Sequence, residues 1–352
     1  MIVAGIDIGS RAAKGVILKD GRILTYFIGD TGPESVKTSE MVMAELLKKT
    51  GLSLKDIDYV VATGYGRVLV PFANETVSEI SAHARGVNYY FPSVRTILDM
   101  GGQDCKAISI DEKGQVTNFV MNDKCAGGTG RFLEMIAEVL NIPLTGIGDV
   151  SLKSKSAISF NTICAVFAKT DAINNLRKGV AKSDILAGLH EAIATRCLNL
   201  LKRVSIQKDF SISGGISKNK GMVAKIKEKV GMEPLLSEDP QIIGALGAAI
   251  FAEERLKGVE TGGMKVNYGY SDGTGEYFIT VDTMKCDGCN QCVIACPGGL
   301  FVVANDESGK PKAMVKEELR KKIATACPGF HNCGQTANCH SVCTRDAISH
   351  TW

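Results

Sequence analysis

Apolar residues alternate with polar or small residues at the start of the chain, and this pattern predicts a succession of strands. IVAGIDIGS and RAAKGVILKD form two predicted strands joined by a turn, and GRILTYFIG continues as a third. SVKTSEMVMAELLKKTGL then has apolar residues at helical spacing and ends at a glycine. IDYVVATGYG predicts a strand that runs into a tight turn, and SEISAHARGVNYYF predicts a helix.

The same order of elements then starts again. VRTILDMGGQDCKAISID predicts strand, turn and strand, followed by GQVTNFVMND. We expect helices after Cys125 and after Cys164, a strand and turn in DFSISGGISKN, and a last helix in PQIIGALGAAIFAEERL. A strand–turn–strand unit with an acidic residue and glycines therefore occurs at 3–18 and at 96–110. This duplication predicts two α/β halves that face a cleft.

The pattern changes after Leu256. KGVETGGMKVNYGYSDGTGE is rich in glycine and without period, which is typical of a linker. A short strand and a group of cysteines follow. We therefore predict a first domain over 1–257 with halves of about 1–93 and 94–257, a linker over 258–275, and a small α+β domain over 276–352.

Length and charge fit this plan. The 352 residues suit about two domains, and the net charge of +3 gives no strong attraction to nucleic acid or to a membrane surface. The longest apolar run, IIGALGAAIFA, is too short to span a bilayer. The start, MIVAGIDIGS, lacks a cationic segment and predicts a strand, not a signal peptide. We expect a cytoplasmic protein with neither a nucleic-acid partner nor a membrane partner.

Cysteine is the most informative residue type. Eight of the 12 cysteines lie within 286–352, and without an export signal they favour metal binding over disulfides. The first four have the spacing C-x2-C-x2-C-x3-C and precede Pro297, as in bacterial ferredoxins with two 4Fe–4S clusters. A structural zinc site is the alternative. The second four have the spacing C-x5-C-x5-C-x3-C, with Thr344 where proline is usual.

In the ferredoxin pattern the fourth cysteine of each set binds the other cluster. His331 and His340 lie among the cysteines as less favoured substitute ligands. The predicted ligands are Cys286, Cys289, Cys292 and Cys343 for one cluster, and Cys296, Cys327, Cys333 and Cys339 for the other.

The duplicated turns are candidate phosphate sites. In GIDIGSRAAKGVIL, Asp7 ends a strand and precedes Gly9 and Ser10, whose backbone N–H groups can hold phosphate while Asp7 holds Mg²⁺ through water. LDMGGQDCK repeats this arrangement, and SISGGISKN offers a glycine pair for close approach of an adenosine. Each glycine pair alone is more often an ordinary turn. The candidates at these places and nearby are Arg11, Lys14, Asp99, Gly101, Gly102, Gln103, Asp104, Lys106, Gly214, Gly215, Asn219 and Gln241.

Three such motifs in this order resemble the acetate and sugar kinase, Hsp70 and actin superfamily, whose fold is a pair of ribonuclease H-like halves around a nucleotide cleft. More narrowly, ATGYGR, DMGGQDCK, NDKCAGGTGRFLE, CAVFAK, SGGISKNKG and PQIIGALGAA resemble the activator ATPases of 2-hydroxyacyl-CoA dehydratases. That family includes the ATP-hydrolysing subunits of benzoyl-CoA reductase. The resemblance covers about residues 1–255.

The resemblance implies a 4Fe–4S cluster on the two-fold axis of a dimer, with Cys125 and Cys164 as the ligands from each protomer. Both precede predicted helices, whose positive N-termini suit an anionic cluster. The alternative is that both are buried thiols, as we expect for Cys105 and Cys197. The second protomer is either identical or a related chain.

The implied activity is ATP-driven electron transfer. ATP and Mg²⁺ occupy the cleft, an upstream donor reduces the C-terminal clusters, and an acyl-CoA dehydratase or aromatic acyl-CoA reductase accepts the electron. Relatives often have Glu-Ser where this chain has Lys169-Thr170, and the small activators lack the C-terminal domain. Alternatives are a small-molecule kinase with a redox sensor, a non-enzymatic ferredoxin-type carrier, and an ATPase that reactivates a corrinoid protein.

Roles for single residues follow from this interpretation. Asp7, Asp99, Gln103 and Asp104 are expected to position metal and water, and Lys14 and Lys106 to contact phosphate, with solvated surface lysines as the alternative. Gly128, Thr129 and Gly130 are expected on the nucleotide side at the start of a helix. Glu134 either reaches a ribose hydroxyl or lies on a solvated helix face.

Overall fold

The structure is a computed structural model. It describes residues 1–122, 128–160, 165–257, 265–272, 275–306, 309–329, 333 and 338–351. Cys125 and Cys164 lie outside the described residues. The chain forms two compact units: an N-terminal unit of Met1–Gly114 with Val120–Val259, and a C-terminal unit of Gln115–Phe119 with Glu260–Trp352.

The first sheet of the N-terminal unit has five strands in the order β3-β2-β1-β4-β5. β1 is antiparallel to β2 and parallel to β4. The first two helices follow β3 and β5, and the first ends at Gly51 in the left-handed conformation with φ 69°, as the glycine predicts. The elements are β1 Ile2–Ile8, β2 Ala12–Lys19, β3 Arg22–Asp30, α1 Ser35–Thr50, β4 Tyr59–Thr63, β5 Glu75–Thr76 and α2 Glu79–Tyr90.

The second sheet has four strands in the order β8-β7-β6-β9. β6 is antiparallel to β7 and parallel to β9, as β1 is to β2 and β4. Helices pack against this sheet around one large apolar core. The elements are β6 Thr96–Met100, β7 Cys105–Ile110, β8 Val116–Asn122, α3 Gly130–Leu140, α4 Ile147–Ser151, α5 Ala165–Arg177, α6 Lys182–Lys202, β9 Phe210–Ser213 and α7 Lys220–Val230.

The predicted duplication is confirmed down to its register. Asp7 at the end of β1 lies opposite Lys14 on β2, and Asp99 at the end of β6 lies opposite Lys106 on β7. Each sheet therefore carries the same cross-strand pair of an acid and a lysine beside the turn that follows its first strand.

The last helix of this unit, α8 (Ile243–Leu256), corrects the predicted boundary between the halves. The sequence order assigned it to the second half, but it packs on the first sheet with Val3 and Val16. A Cβ at Gly5 would lie 2.0 Å from the carbonyl oxygen of Ala245, so only glycine lets the helix approach β1 this closely. The first half is thus β1–β5, α1, α2 and α8, and the second half is β6, β7 and β9 with α3–α7. The first residues of β8 fall within Gln115–Phe119, which belongs to the C-terminal unit.

The C-terminal unit has a three-stranded antiparallel sheet in the order β10-β11-β14 and a hairpin, β12-β13. The predicted linker over 258–275 is wrong in its second part, because 265–272 forms a strand paired with β11. Tyr268 is buried there and Val266 packs on the core. The elements are β10 Lys265–Asp272, β11 Gly275–Asp282, α9 Gln291–Ala295, β12 Phe301–Asn305, β13 Pro311–Val315, α10 Ile323–Ala326 and β14 Ile348–Thr351.

Within the described ranges, no helix has the length and apolar character needed to cross a membrane.

Candidate functional site

A cleft with a cavity volume of about 490 Å³ opens between the two duplicated hairpins of the N-terminal unit. This volume lies within the usual range of small-molecule sites. Residues from both halves line it, including the predicted residues Asp7, Gly9, Ser10, Arg11, Lys14, Asp99, Gly101, Gly102, Asp104, Lys106, Gly130, Glu134, Gly214, Gly215, Asn219 and Gln241.

The first hairpin holds one ion pair. Asp7 is buried, and Lys14 Nζ donates to Asp7 Oδ2 at 2.9 Å. The turn is closed by a hydrogen bond of 3.2 Å from Gly9 N to Ala12 O. Ser10 and Arg11 of this turn also line the cleft, and backbone N–H groups of such turns are common donors to bound anions.

The second hairpin holds a tighter group of charges. Lys106 is only 2 % exposed, and its Nζ lies 2.7 Å from Asp104 Oδ2 and 3.5 Å from Asp99 Oδ2. Burial alone would lower the pKa of Lys106, but the two carboxylates outweigh it and raise that pKa above its usual range. Lys106 is therefore a permanent cation that neutralises one of two adjacent carboxylates.

Asp99 has further partners, and one of them was missed in the sequence. Ser213 Oγ donates to Asp99 Oδ1 at 3.0 Å, and His83 Nδ1 lies 3.2 Å from the same oxygen. Burial alone would raise the pKa of Asp99, but His83, Lys106 and the Ser213 hydroxyl together lower it. Asp99 therefore stays ionised at neutral pH.

His83 comes from α2, which the sequence predicted only as a helix. Glu79 and His83 both line the cleft and lie four residues apart, on one face of that helix. A polar pair at this spacing on a helix of small residues was the signal that could have located them. Tyr65 in the motif ATGYGR also lines the cleft, and partial burial beside Asp104 raises its pKa.

The first glycine of the pair after β9 allows a close approach between two parts of the backbone. Gly214 has φ 86°, and a Cβ there would lie 2.4 Å from the carbonyl oxygen of Met100. Gly215 lies next to Gln241, and Asn219 caps α7 by accepting a hydrogen bond from Met222 N at 3.0 Å. The cleft is lined by all four predicted residues of this region, namely Gly214, Gly215, Asn219 and Gln241.

Glu134 lines the cleft but is engaged with protein. Its Oε1 accepts a hydrogen bond of 2.9 Å from Arg11 Nε, and Arg11 Nη1 also lies 2.8 Å from Asp30 Oδ1. The start of α3 is tied to the second hairpin as well, because Gly130 N donates to Gly101 O at 3.0 Å. Any ribose contact by Glu134 would therefore compete with Arg11.

Three predicted residues are not brought to the cleft lining. Gln103 is exposed in the turn after β6, where its side chain faces solvent. Thr129 is completely buried. A Cβ at Gly128 would lie 3.7 Å from Ile193 and 3.9 Å from Arg196, both of α6.

The cysteines of the C-terminal unit surround two small cavities. Four cysteines line each cavity, and in each case three come from one end of the unit and one from the other. Cys286, Cys289, Cys292 and Cys343 line the first cavity. Cys296, Cys327, Cys333 and Cys339 line the second cavity.

The sulfurs are placed to carry negative charge. Backbone N–H groups donate to Cys286 Sγ from Ala313 at 3.3 Å and to Cys343 Sγ from Ala347 at 3.2 Å. Leu300 N lies 3.5 Å from Cys296 Sγ in the second group. Hydrogen bonds of this kind stabilise thiolates and tune iron–sulfur clusters.

Without a cation, the thiols of Cys292 and Cys339 would stay protonated. Burial, with Cys286, Cys289 and Cys343 nearby, raises the pKa of Cys292 to about 11. Burial, with other thiols nearby, raises the pKa of Cys339 to about 12. The donor set therefore fits a group that supplies positive charge to four thiolates at once.

Among the described residues, no three His, Cys, Asp or Glu side chains converge on one point that could hold a single metal ion. The thiolates of a four-iron cube each bind a different iron atom, which needs a wider spacing. His340 is partly buried in the C-terminal unit, and His331 lies outside the described residues.

Two other cysteines are core residues, as predicted. Cys105 and Cys197 are 4 % and 3 % exposed, and their sulfurs lie 4.0 Å apart in the core of the second half.

Comparisons with known proteins identify a family for the N-terminal unit and an iron–sulfur domain in the C-terminal unit. Residues 4–252 match the model of the BadF/BadG/BcrA/BcrD ATPase family, and residues 279–301 match that of the 4Fe-4S binding domain. The 2-hydroxyisocaproyl-CoA dehydratase activator of Clostridioides difficile is 41% identical, over 73% of this chain and 97% of the activator. A benzoyl-CoA reductase subunit of Thauera aromatica is 34% identical, over 72% of this chain and 95% of the subunit.

A solved structure gives the same result. The activator of the 2-hydroxyisocaproyl-CoA dehydratase from Clostridium difficile with bound ADPNP superposes with a TM-score of 0.70 at 40% identity. The match covers 74% of this chain and 98% of the activator chain. The N-terminal unit thus has the actin-like ATPase fold, and a ferredoxin-like iron–sulfur module follows it. The chain is an ATP-binding enzyme that belongs to the BadF/BadG/BcrA/BcrD ATPase family.

Proposed function

We propose that this protein uses ATP hydrolysis to deliver low-potential electrons to an acyl-CoA dehydratase or to an aromatic acyl-CoA reductase. One observation carries the proposal: a nucleotide cleft built on two acid–lysine hairpins and two groups of four cysteines lie in one chain. Relatives named as a dehydratase activator and a benzoyl-CoA reductase subunit indicate the class of acceptor.

In the cleft, the backbone N–H groups of the two turns would hold the phosphates of ATP. Mg²⁺, which neutralises developing phosphate charge, suits the carboxylates of Asp7, Asp99 and Asp104, directly or through water. Asp99 is held ionised by its partners, so it can orient a water without first losing a proton. The nucleoside would lie beside Gly214 and Gly215, which line the cleft.

In the C-terminal unit, the two groups of cysteines would hold two 4Fe–4S clusters, which accept and donate single electrons at low potential. The first cluster would be bound by Cys286, Cys289, Cys292 and Cys343, and the second by Cys296, Cys327, Cys333 and Cys339. The grouping of these residues around two cavities and the N–H donors to sulfur support this assignment. An upstream donor would reduce these clusters.

A third cluster would be shared by two protomers through Cys125 and Cys164, which lie outside the described residues. α5 begins at Ala165 and α3 at Gly130, so a helix N-terminus follows each cysteine. The hydrogen bond from Gly130 N to Gly101 O gives the phosphate turn a direct contact with α3. Movement of that turn on hydrolysis would thereby reach the segment that holds Cys125.

The test uses the full chain with reconstituted clusters, an artificial reductant, and a purified 2-hydroxyacyl-CoA dehydratase or benzoyl-CoA-type reductase. We expect electron transfer to the acceptor only when ATP is hydrolysed. The proposal fails if ATP is hydrolysed at an unchanged rate while no acceptor of either class is reduced. Transfer of phosphate to a small molecule would instead identify a kinase.

Iron content tests the shared cluster separately. A homodimer with two clusters in each C-terminal unit and one shared cluster holds about 20 iron atoms. Cys125→Ala should reduce this to about 16 and leave ATP binding intact, whereas the core variant Cys197→Ala should leave the iron content unchanged. Equal iron in both variants would remove the shared cluster from the proposal.

A further inference from the structure

His190 lies on α6 behind the nucleotide cleft and is completely buried. Burial, together with the charge of Lys225, lowers the pKa of His190 to about 4, so its ring is neutral at neutral pH. A neutral imidazole has one nitrogen that donates and one that accepts. Its neighbours decide which nitrogen has which role.

Ser151 fixes the tautomer. Its hydroxyl has a single proton, which it donates to Gly148 O at 2.8 Å. His190 Nδ1 lies 3.0 Å from Ser151 Oγ and must therefore be the donor in that contact. His190 Nε2 is left as an acceptor.

The tautomer in turn fixes the side-chain amide of Asn219. Asn219 Nδ2 lies 3.2 Å from His190 Nε2 and donates to it, while Asn219 Oδ1 accepts from Met222 N at 3.0 Å. A flipped amide would set an oxygen against the Nε2 lone pair and an NH₂ group against the Met222 N–H. Both contacts would be repulsive, so only one orientation is allowed.

Asn219 lines the cleft, as do Gly215 and Gln241. With its oxygen engaged by the cap of α7 and one Nδ2 hydrogen on His190, it has one N–H left for a ligand. We propose that His190, held by Ser151, is a positioning residue that aims this N–H at a hydrogen-bond acceptor on the nucleoside of ATP. The acceptor is a ribose oxygen or a ring nitrogen of the base.

The inference rests only on ATP binding in this cleft. It is tested by phosphate release and nucleotide binding of the full protein, which need no electron acceptor, so its failure is distinct from failure of the proposed electron transfer. Asn219→Asp keeps an oxygen for the Met222 N–H and so preserves the helix cap, but it removes the donor. It also sets its second oxygen against His190 Nε2, a contact that is repulsive unless the ring takes up a proton. We expect KM for ATP and Kd for ADP to rise about tenfold, the loss typical of one hydrogen bond, with kcat within about twofold.

His190 variants separate positioning from packing. In His190→Gln the new amide oxygen can accept from Asn219, so this variant should bind nucleotide within about threefold of the wild type, whereas His190→Ala should match the loss in Asn219→Asp. Because His190 acts through Asn219, adding His190→Ala to Asn219→Asp should cause no further rise in KM. If His190→Ala does not fold, the same comparison is made with Ser151→Ala, which removes the hydroxyl that fixes the tautomer of His190.

Three results would overturn the proposal. One is wild-type nucleotide affinity in Asn219→Asp. Another is an additive rise in KM when the two positions are changed together. The third is a fall in kcat at unchanged KM, which would indicate damage to the phosphate side of the cleft.

Discussion

The two halves of the ATPase unit carry the same acid–lysine hairpin in different electrostatic settings. In the first half, Lys14 faces one carboxylate, that of Asp7, and its side chain is 15 % exposed. In the second half, Lys106 lies between Asp99 and Asp104, and its side chain is 3 % exposed. The formal charges of Asp7 and Lys14 sum to zero, whereas those of Asp99, Asp104 and Lys106 sum to −1.

This difference suggests that the two lysines have different roles. Lys14 has one ion-pair partner and is the more exposed lysine, so it is the better candidate for a phosphate contact. Lys106 is held by two carboxylates and stabilises them, and their remaining negative charge would favour a cation such as Mg²⁺. The sequence assigned the two lysines equal roles.

The largest effect is expected in the folding stability of variants at the two hairpin lysines, Lys106 and Lys14. Lys106→Met leaves two buried carboxylates without a counter-charge, so we expect a loss of about 3–5 kcal/mol in the free energy of unfolding. Lys14→Met should cost less, about 1–2 kcal/mol, because it leaves only one buried carboxylate, that of Asp7, without its counter-charge. Urea unfolding followed by circular dichroism measures both. Lys37→Met, which breaks an exposed pair with Glu34, is the control with little effect. Equal losses at Lys14 and Lys106 would contradict different roles for the two lysines.

The second test is the acid sensitivity of the second half, where His190 is buried as a neutral ring. The folded-state pKa of about 4 lies below the unfolded value of 6.5. As the pH falls below 6.5 the unfolded chain binds a proton that the folded chain does not. The contribution of the neutral His190 ring to the free energy of unfolding is therefore complete above pH 6.5. It is lost as the pH falls towards about 4, by about 3 kcal/mol in total.

The measurement is urea unfolding at several pH values between about 7.5 and about 4.5, for the wild type and for His190→Gln. The variant should lose less stability over this window. Parallel pH profiles would show that His190 does not contribute to the acid sensitivity.

The third test concerns nucleotide binding by the first hairpin. If Lys14 contacts phosphate, Lys14→Met loses a charge-assisted hydrogen bond, and ATP should bind about 10- to 100-fold more weakly. Isothermal titration calorimetry measures this, with Lys37→Met again as the control. Unchanged ATP affinity in Lys14→Met would place the phosphates away from the first hairpin.

The smallest test compares the accessibility of the two lysines. Reductive methylation followed by peptide mass spectrometry should modify Lys14 several-fold faster than Lys106, because Lys14 is the more exposed. Addition of ADP should slow the modification of Lys14 alone. Protection of Lys106 by ADP would indicate that it also leaves its carboxylates.

The sequence located the parts of the site that lie within one strand–turn–strand unit. Asp7 and Asp99 were predictable because an acidic residue followed by glycine at a strand end is a local pattern. His83 was not, because α2 brings it to Asp99 from a different part of the chain. Ser151 and His190 depend in the same way on the packing of α4, α6 and α7 around Asn219.

Two features of the fold were hidden for other physical reasons. The small residues of α8 predict a helix that packs closely, but they do not tell which sheet it covers. In β10, the alternation of Val266 and Tyr268 is short and lies among glycines, so the segment was predicted as a linker. In both cases the partner element decides the structure, and local composition does not reveal it.

The crossed arrangement of cysteines has a consequence for how the protein matures. Cys296 follows Cys292 closely in the chain yet lines the second cavity, while Cys343 lines the first cavity together with cysteines more than 50 residues away. Each cavity is therefore complete only when both ends of the unit are in place. Assembly of the two clusters would be a single cooperative event, and oxygen damage at one would release ligands of the other. A cell would then contain molecules with both clusters in place or molecules whose C-terminal unit is unfolded and open to proteolysis, and few molecules with one cluster.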